Sequence, residues 1–513
     1  MNRLACVSLM SFCAAFAWGA DWITDGGDGQ RTGWQKDEKV LNKDSVRNMK
    51  LLWKVQTGNA PRALHALMPP VITTVNTPSG RKEMAILSGI SDNIYGIDAL
   101  TGKIVWQHHY SYTPPPGRDG GPAPTDPGEM GFLGPGGSSD VPVIGPPNPS
   151  GTRPLYFVSG DGMLHTLNVA DGEDLAPPFL FTTGKGWALN LNGNTIWMPH
   201  GRDLSAVHLD DPQHKVYTAT AKSGGLWGRR GVAVDSTGTA WTTTGDGIYE
   251  PETQTYGNAV VGMHFENGEL KIKDYYVPTN WVWLRKRDLD PNNTPTIFNY
   301  KGREIMAASG KECRVYLLDP RNVGGADHQT PLYKTPLFCN EEVDFQDAGS
   351  WGALSTWEEA NGTHWVLAPF WGPVHSAYKA PVMNSPLPKE GGVAAFRVSD
   401  KNGQLTLDPA WVSRDMFRGE PVVIANGVVY GYGSGEETKQ AWPDKGLFMQ
   451  SSIRIQRGTH ATIYAMDALT GKELWNSGNQ IASWNHFAGL SIANGRLYLG
   501  TYDGYLYCFG LAN

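Results

Sequence analysis

Charge is scarce in this sequence. Only 18% of its 513 residues are Asp, Glu, Lys or Arg, and the formal net charge is −7, where an ordinary globular chain carries about 25% charged residues. No long basic run occurs, and a nucleic-acid-binding surface would need a stripe of Lys and Arg. Nucleic acid is therefore excluded as a partner. Cysteine is scarce too: five in all, with no C-x-x-C and no C-x-x-C-H, so no covalently attached c-type haem is expected. After the N-terminal segment no stretch of 18 apolar residues is found, which excludes a helical membrane span.

What is abundant is backbone punctuation. The chain holds 62 Gly and 35 Pro, with 11% aromatic residues and 19 Trp. Gly and Pro together average about 12% of residues. The aromatic content rules out a low-complexity disordered chain, and the Gly and Pro excess rules out a helical bundle or coiled coil. A large globular protein of many short strands and turns remains, at a length where about three quarters of the unfolded surface is buried.

Met1-Asn2-Arg3 is a short positive start, and Leu4 to Phe16 is mostly apolar. That run is too short to span a membrane and suits a signal-peptide core, with Ala15-Phe16-Ala17 as a small-x-small cleavage site. The expectation is a signal peptide over residues 1–20 and an exported protein, periplasmic or secreted, whose single domain covers 21–513; a buried N-terminal element is the alternative. Removal of the signal leaves Cys313, Cys339 and Cys508. An oxidising compartment permits a Cys313–Cys339 disulfide; three buried thiols are the other reading.

Two segments match closely. Asn93 to Trp106 (NIYGIDALTGKIVW) and Thr462 to Trp475 (TIYAMDALTGKELW) each read as a strand, a D-x-x-T-G turn and a second strand ending in Trp. The Asp side chain bonds turn amides and the Gly supplies positive φ; the Trp is a plate that can dock on the next copy. Weaker copies follow, and the Asp98-equivalent position recurs at 98, 168, 208, 264, 319, 397, 467 and 510. These are eight units of about 40 residues plus loops, enough for one four-stranded blade each. The last copy lacks its Trp strand, while Leu51-Leu52-Trp53-Lys54 offers one without a partner. The expected fold is an all-β, eight-bladed β-propeller whose N- and C-terminal strands meet in one blade. Inserted loops are expected at 111–139, 378–391 and 433–458.

The D-A-x-T-G-K-x-x-W unit, with the lead-in Asp21-Trp22 and Gly26-Gly27-Asp28-Gly29-Gln30-Arg31, resembles the pyrroloquinoline quinone (PQQ) dehydrogenase-type propeller repeat. Trp227, Asp235 and Thr244-Gly245-Asp246-Gly247-Ile248-Tyr249-Glu250-Pro251 are similar to an element of polyvinyl-alcohol-dehydrogenase-like members. The resemblance implies that Trp227 stacks near the quinone and that Asp246 is a metal ligand. Asp288-Leu289-Asp290 resembles a D-x-D segment, which implies Asp288 as catalytic base and Asp290 as an added metal ligand. Gly310-Lys311 ahead of Val315-Tyr316-Leu317-Leu318-Asp319 implies Lys311 at the quinone oxygens. The implied cofactors are PQQ and a hard ion, Ca²⁺ or a lanthanide. The implied function is oxidation of an alcohol, sugar or polyol, with electrons leaving to a separate acceptor such as a cytochrome c.

The chemistry is coherent on its own terms. Hydride loss from an alcohol to an ortho-quinone needs a base on the hydroxyl and a Lewis acid on the quinone carbonyl, and a hard cation prefers an oxygen shell. Two other readings stand beside it. His65 and His486 both precede inner strands of neighbouring blades, so a Cu or Zn oxidoreductase, or proton transfer, in the same funnel is one. A non-catalytic propeller scaffold for protein assembly is the other. Arg229-Arg230, Arg418 and Glu420 occupy similar positions; they suit an anionic substrate or cofactor, Arg230 being assigned to the cofactor, or form buried ion pairs.

Overall fold

The computed structural model describes residues 19–59, 67–89, 92–110, 140–183, 186–341, 348–439, 441–442, 447–486 and 489–512. The segment 1–18 read as a signal peptide, the loop 111–139 and His65 lie outside the described residues.

The chain forms an eight-bladed β-propeller. The first blade is the antiparallel sheet Val71–Thr77, Gly80–Gly89, Asn93–Asp98 and Ile104–His109, from the axis outward. Inner strands of the next six blades begin at Val143, Asn190, Ala233, Thr296, Ser355 and Val423. In the eighth blade Leu490–Ala493, Arg496–Gly500 and Tyr505–Leu511 are completed by Met49–Gln56, which pairs with Tyr505–Leu511. The N-terminal strand thus closes the ring by supplying the outer strand of the last blade.

The repeat chemistry sets the blade angle. Trp53 Nε1 donates to Ala99 O at 3.1 Å, Trp106 to Val169 O at 3.0 Å and Trp411 to Ala468 O at 3.0 Å. Each indole lies flat on the turn glycine of the following blade. A Cβ on Gly102, Gly172 or Gly471 would fall 2.7, 2.7 and 2.4 Å from its ring. Within blades, Asn426-Gly427 and Asn494-Gly495 sit at positive φ between paired strands, the two-residue hairpin geometry that Asn-Gly favours.

The lead-in segment plugs the axis. Trp22 pairs with Ile72 of the first blade, Ile144 of the second donates to Ile23 O, and Thr24 Oγ1 donates to Leu189 O beside the third. Val234, Ile297, Thr356 and Ile424 donate in turn to Gly29, Gln30, Thr32 and Gly33. Gln35 Nε2 reaches Ile492 O of the eighth blade at 3.4 Å. Residues 22–35 therefore make one circuit of the axis and meet every inner strand in order. Arg31 and Arg230 are buried within this circuit and spend their guanidinium groups on backbone carbonyls.

Cys313 and Cys339 are disulfide-bonded, and Cys508 is a buried thiol. Among the described residues no helix is long and apolar enough to cross a membrane.

Candidate active site

The turn after the second strand of the fourth blade and the segment leading into the inner strand of the fifth bring three carboxylates together. Asp246, Asp288 and Asp290 each offer an oxygen within 4.8 Å of the others'. Asp246 sits in the turn after Ala240–Thr244, and Asp288-Leu289-Asp290 follows the short helix Trp281–Arg285. Lys311, just past Arg303–Ser309 in the fifth blade, points back into the group. Its ammonium is 2.5 Å from Asp288 Oδ1 and 2.8 Å from Asp290 Oδ1. The backbone holds this arrangement too, because Lys311 N donates to Asp290 O at 3.1 Å.

Three carboxylates against one ammonium leave a local excess of negative charge. Burial first, then repulsion from Asp290 and Asp288, pushes Asp246 up to about 8. Burial raises Asp290 to about 6 against the pull of Lys311. Burial tends to lower the Lys311 pKa, but Asp290 and Asp288 outweigh it, and the shift is upward. A donor set of carboxylate oxygens alone suits a hard cation such as Ca²⁺ or a lanthanide, and suits Cu or Zn poorly. The ammonium already occupies the place where positive charge is most favourable.

Beside the acids lies a wall of tryptophans. Ring centroids of Trp187 and Trp227 are 5.5 Å apart, Trp227 and Trp351 6.0 Å, Trp351 and Trp371 5.6 Å. A Cβ on Gly245 would lie 2.5 Å from the Trp227 ring and 3.2 Å from Asp290 Oδ2, so the indole rests on bare backbone next to the carboxylates. The Lys311 ammonium is 5.8 Å from the Trp351 centroid. The rings are inclined to one another by 36–59°, so single indole faces, edged by acids and an ammonium, are what the site offers to a planar, oxygen-rich heterocycle over a hard cation.

Of the residues singled out in the sequence, Trp227, Asp246, Asp288, Asp290 and Lys311 lie together. Arg230 does not join them. Expected at the cofactor, it instead donates to Leu354 O and Val422 O at 2.8 and 2.9 Å, with Asp25 3.7 Å away. The carbonyls of the residues just ahead of the sixth and seventh inner strands claim it for the plug. His486 is buried, its Nδ1 2.6 Å from Glu436 Oε2, and Arg454 holds the other Glu436 oxygen at 2.8 Å; it belongs to no metal-ligand group among the described residues. Arg418 ties Thr438 to Glu390. Trp187, Trp351 and Trp371 were not singled out. For the first two a signal existed, since each, like Trp227, stands three to six residues ahead of an inner strand.

Fold and site together define an eight-bladed propeller with an acid and tryptophan site where its inner strands begin. Solved structures share that fold across the chain. A europium-containing methanol dehydrogenase is 12% identical, with a TM-score of 0.59 over 96% of this chain and 98% of its own. A quinohemoprotein alcohol dehydrogenase from Comamonas testosteroni is 13% identical (TM-score 0.55), covering 96% of this chain and 80% of its own. One from Pseudomonas putida HK5 is 12% identical (TM-score 0.54) with the same coverage. At such identities the likeness is one of fold. No family model matches the sequence, and no curated protein does.

Proposed function

We propose that this chain is a quinoprotein-type dehydrogenase that oxidises an alcohol, sugar or polyol, using PQQ and a hard metal ion. The observation that carries the reading is the carboxylate group Asp246, Asp288 and Asp290, bridged by Lys311 beside the tryptophan wall. Asp246 and Asp290 would hold the ion, Trp227 would offer a face to the quinone, and Trp351, inclined to Trp227 by 59°, would bound one side of the site. When bound, PQQ supplies a two-electron acceptor and the ion a Lewis acid on its carbonyl.

The roles of the two neighbouring acids divide by exposure. The Asp288 side chain is 44% exposed and that of Asp290 3%. A substrate hydroxyl would therefore reach Asp288, which would take the hydroxyl proton, the bound acceptor supplying the two-electron oxidation that turns an alcohol into a carbonyl compound. Lys311 donates to Asp288 Oδ1 and fixes which oxygen faces the substrate. Leu289 and the tryptophans exclude water from the rest of the crevice, which strengthens each charge interaction. Electrons leave to a separate protein such as a cytochrome c, and the apolar run Leu4 to Phe16 supports export to a periplasm.

The test is reconstitution. The purified chain is titrated with PQQ and Ca²⁺ or La³⁺, followed by quinone absorbance and by dye reduction over a panel of alcohols. Retained quinone with alcohol-dependent dye reduction is expected. No retention with either ion defeats the proposal, and bound copper or zinc in the purified protein would favour a histidine-based oxidoreductase instead.

A further inference from the structure

Glu420 is a buried acid that the alcohol chemistry leaves unused. It stands just ahead of the seventh inner strand, Val423–Ala425, and is 1% exposed. Among the described residues no hydrogen bond of full geometry reaches either carboxyl oxygen. The carboxylate of Glu436, the guanidinium of Arg229 and the indole of Trp371 are the polar groups that act on it. Burying an acid this way is costly unless something meets it.

Its surroundings point to the tryptophan wall. Trp371 continues the wall through Trp351, next to Lys311. Below Glu420 the axis is shut by the N-terminal circuit. Arg229 is committed there to Asp25, at 2.8 and 3.3 Å. On its remaining side stand Tyr432 and Glu436, the latter already held by His486 and Arg454. Of the tryptophans it is Trp371, two ring contacts away from Trp227, that acts on the carboxyl.

We propose that Glu420 donates a hydrogen bond to an anionic or carbonyl oxygen on the far edge of the planar ligand held by the tryptophans, and so selects a ligand carrying acceptors at both ends. This rests on the quinone reading above. Glu420 then acts as the acid and Arg229 as a positive charge behind it, while the aspartates and Lys311 engage the opposite edge. Supporting this, burial, then repulsion from Glu436, raises the Glu420 pKa to about 8 against the pull of Arg229. The group is therefore a donor at neutral pH and becomes a repelling anion above that range. Glu436, Arg229 and Tyr432 are the charged and titratable groups that face it.

The test compares the wild-type chain with Glu420→Gln, which keeps a donor and cannot ionise. The dissociation constant for PQQ, with Ca²⁺ present, is measured from pH 6.5 to 9 by tryptophan quenching. Wild type should weaken about tenfold by one pH unit above the Glu420 pKa, and Glu420→Gln should lack that loss. Asp246 titrates in the same range, so the difference between the two proteins is what is read. Infrared difference spectra of wild type at pH 6.5 give a second measure: a protonated-carboxyl stretch that Glu420→Gln removes and that shifts when PQQ binds. Equal pH profiles, no such band, or a band that PQQ binding leaves unmoved each overturn the proposal while the quinone reading survives. Wild type that binds no PQQ at any pH overturns both.

Discussion

The ammonium of Lys311 lies 2.5 Å from Asp288 Oδ1, with Asp288 the more exposed of its two partners. On the proposed reading this contact would fix the carboxylate that meets the substrate. Replacing Asp288 with Asn keeps the shape and removes the proton acceptor. The kcat of Asp288→Asn should fall by about 10²–10⁴-fold, while PQQ binding, followed by tryptophan quenching, stays near wild type. Near-wild-type turnover would remove Asp288 as base.

On the proposed reading Lys311 and a metal ion would share the same carboxylates. Asp290, buried and 2.8 Å from the ammonium, is the ligand whose loss costs most, because no water easily replaces it. Asp290→Ala should weaken La³⁺ or Ca²⁺ binding by at least about tenfold, read by isothermal titration; a tenfold change in affinity corresponds to about 1.4 kcal/mol. Lys311→Met should do the reverse in the protein without quinone, since it removes a competing cation.

The tryptophan wall gives a separate handle. Trp351 touches both Trp227 and Trp371 and lies under Lys311. Trp351→Ala should lose about 1–3 kcal/mol of quinone binding, measured as a dissociation constant, with metal affinity little changed. Loss of both together would mean that the wall shapes the acid group rather than the ligand surface.

The propeller was legible because its repeat is local. Asp98, Gly102 and Trp106 act within a single turn and strand, and each copy is read without knowing the rest. The aspartates and Lys311 were legible as separate short motifs. The platform was not, because Trp187 and Trp351 share their residue type with the docking plates Trp53 and Trp106, and their place just ahead of inner strands has meaning only once those strands are known. The axial circuit has no period to read. Residues 22–35 each answer to a different blade, and Arg230 was assigned to the cofactor because its carbonyl partners Leu354 and Val422 lie 124 and 192 residues away.

Stability should depend on pH through Glu420. Its pKa is about 8 in the folded protein, from an ordinary value of 4.5. The folded state therefore holds a proton that the unfolded chain releases. Stability is complete below about pH 4.5 and falls as pH rises toward 8, by at most about 5 kcal/mol from this group. Urea unfolding of Glu420→Gln without ligand should show a shallower decline over that window than wild type. Parallel declines in the two proteins would place the titration elsewhere.

The axial circuit makes one further prediction, about folding rather than chemistry. Arg31 is fully buried, and donates to Val232 O at 2.8 Å, Asp25 O at 2.7 Å, Leu189 O at 2.9 Å and Thr24 Oγ1 at 2.7 Å. Arg31→Ala takes the side-chain donor from Asp25 O, leaves Leu189 O and Val232 O with only Thr24 Oγ1 and Asn190 Nδ2, and leaves Asp25 with less compensating charge, which should cost about 3–5 kcal/mol. Arg31→Lys restores the charge but not the planar fork that spans the third and fourth blades, so it should recover only part of that loss. Chemical denaturation of the two variants tests this. If both unfold at the wild-type midpoint, the circuit contributes little to holding the blades together, and closure by Met49–Gln56 alone accounts for the ring.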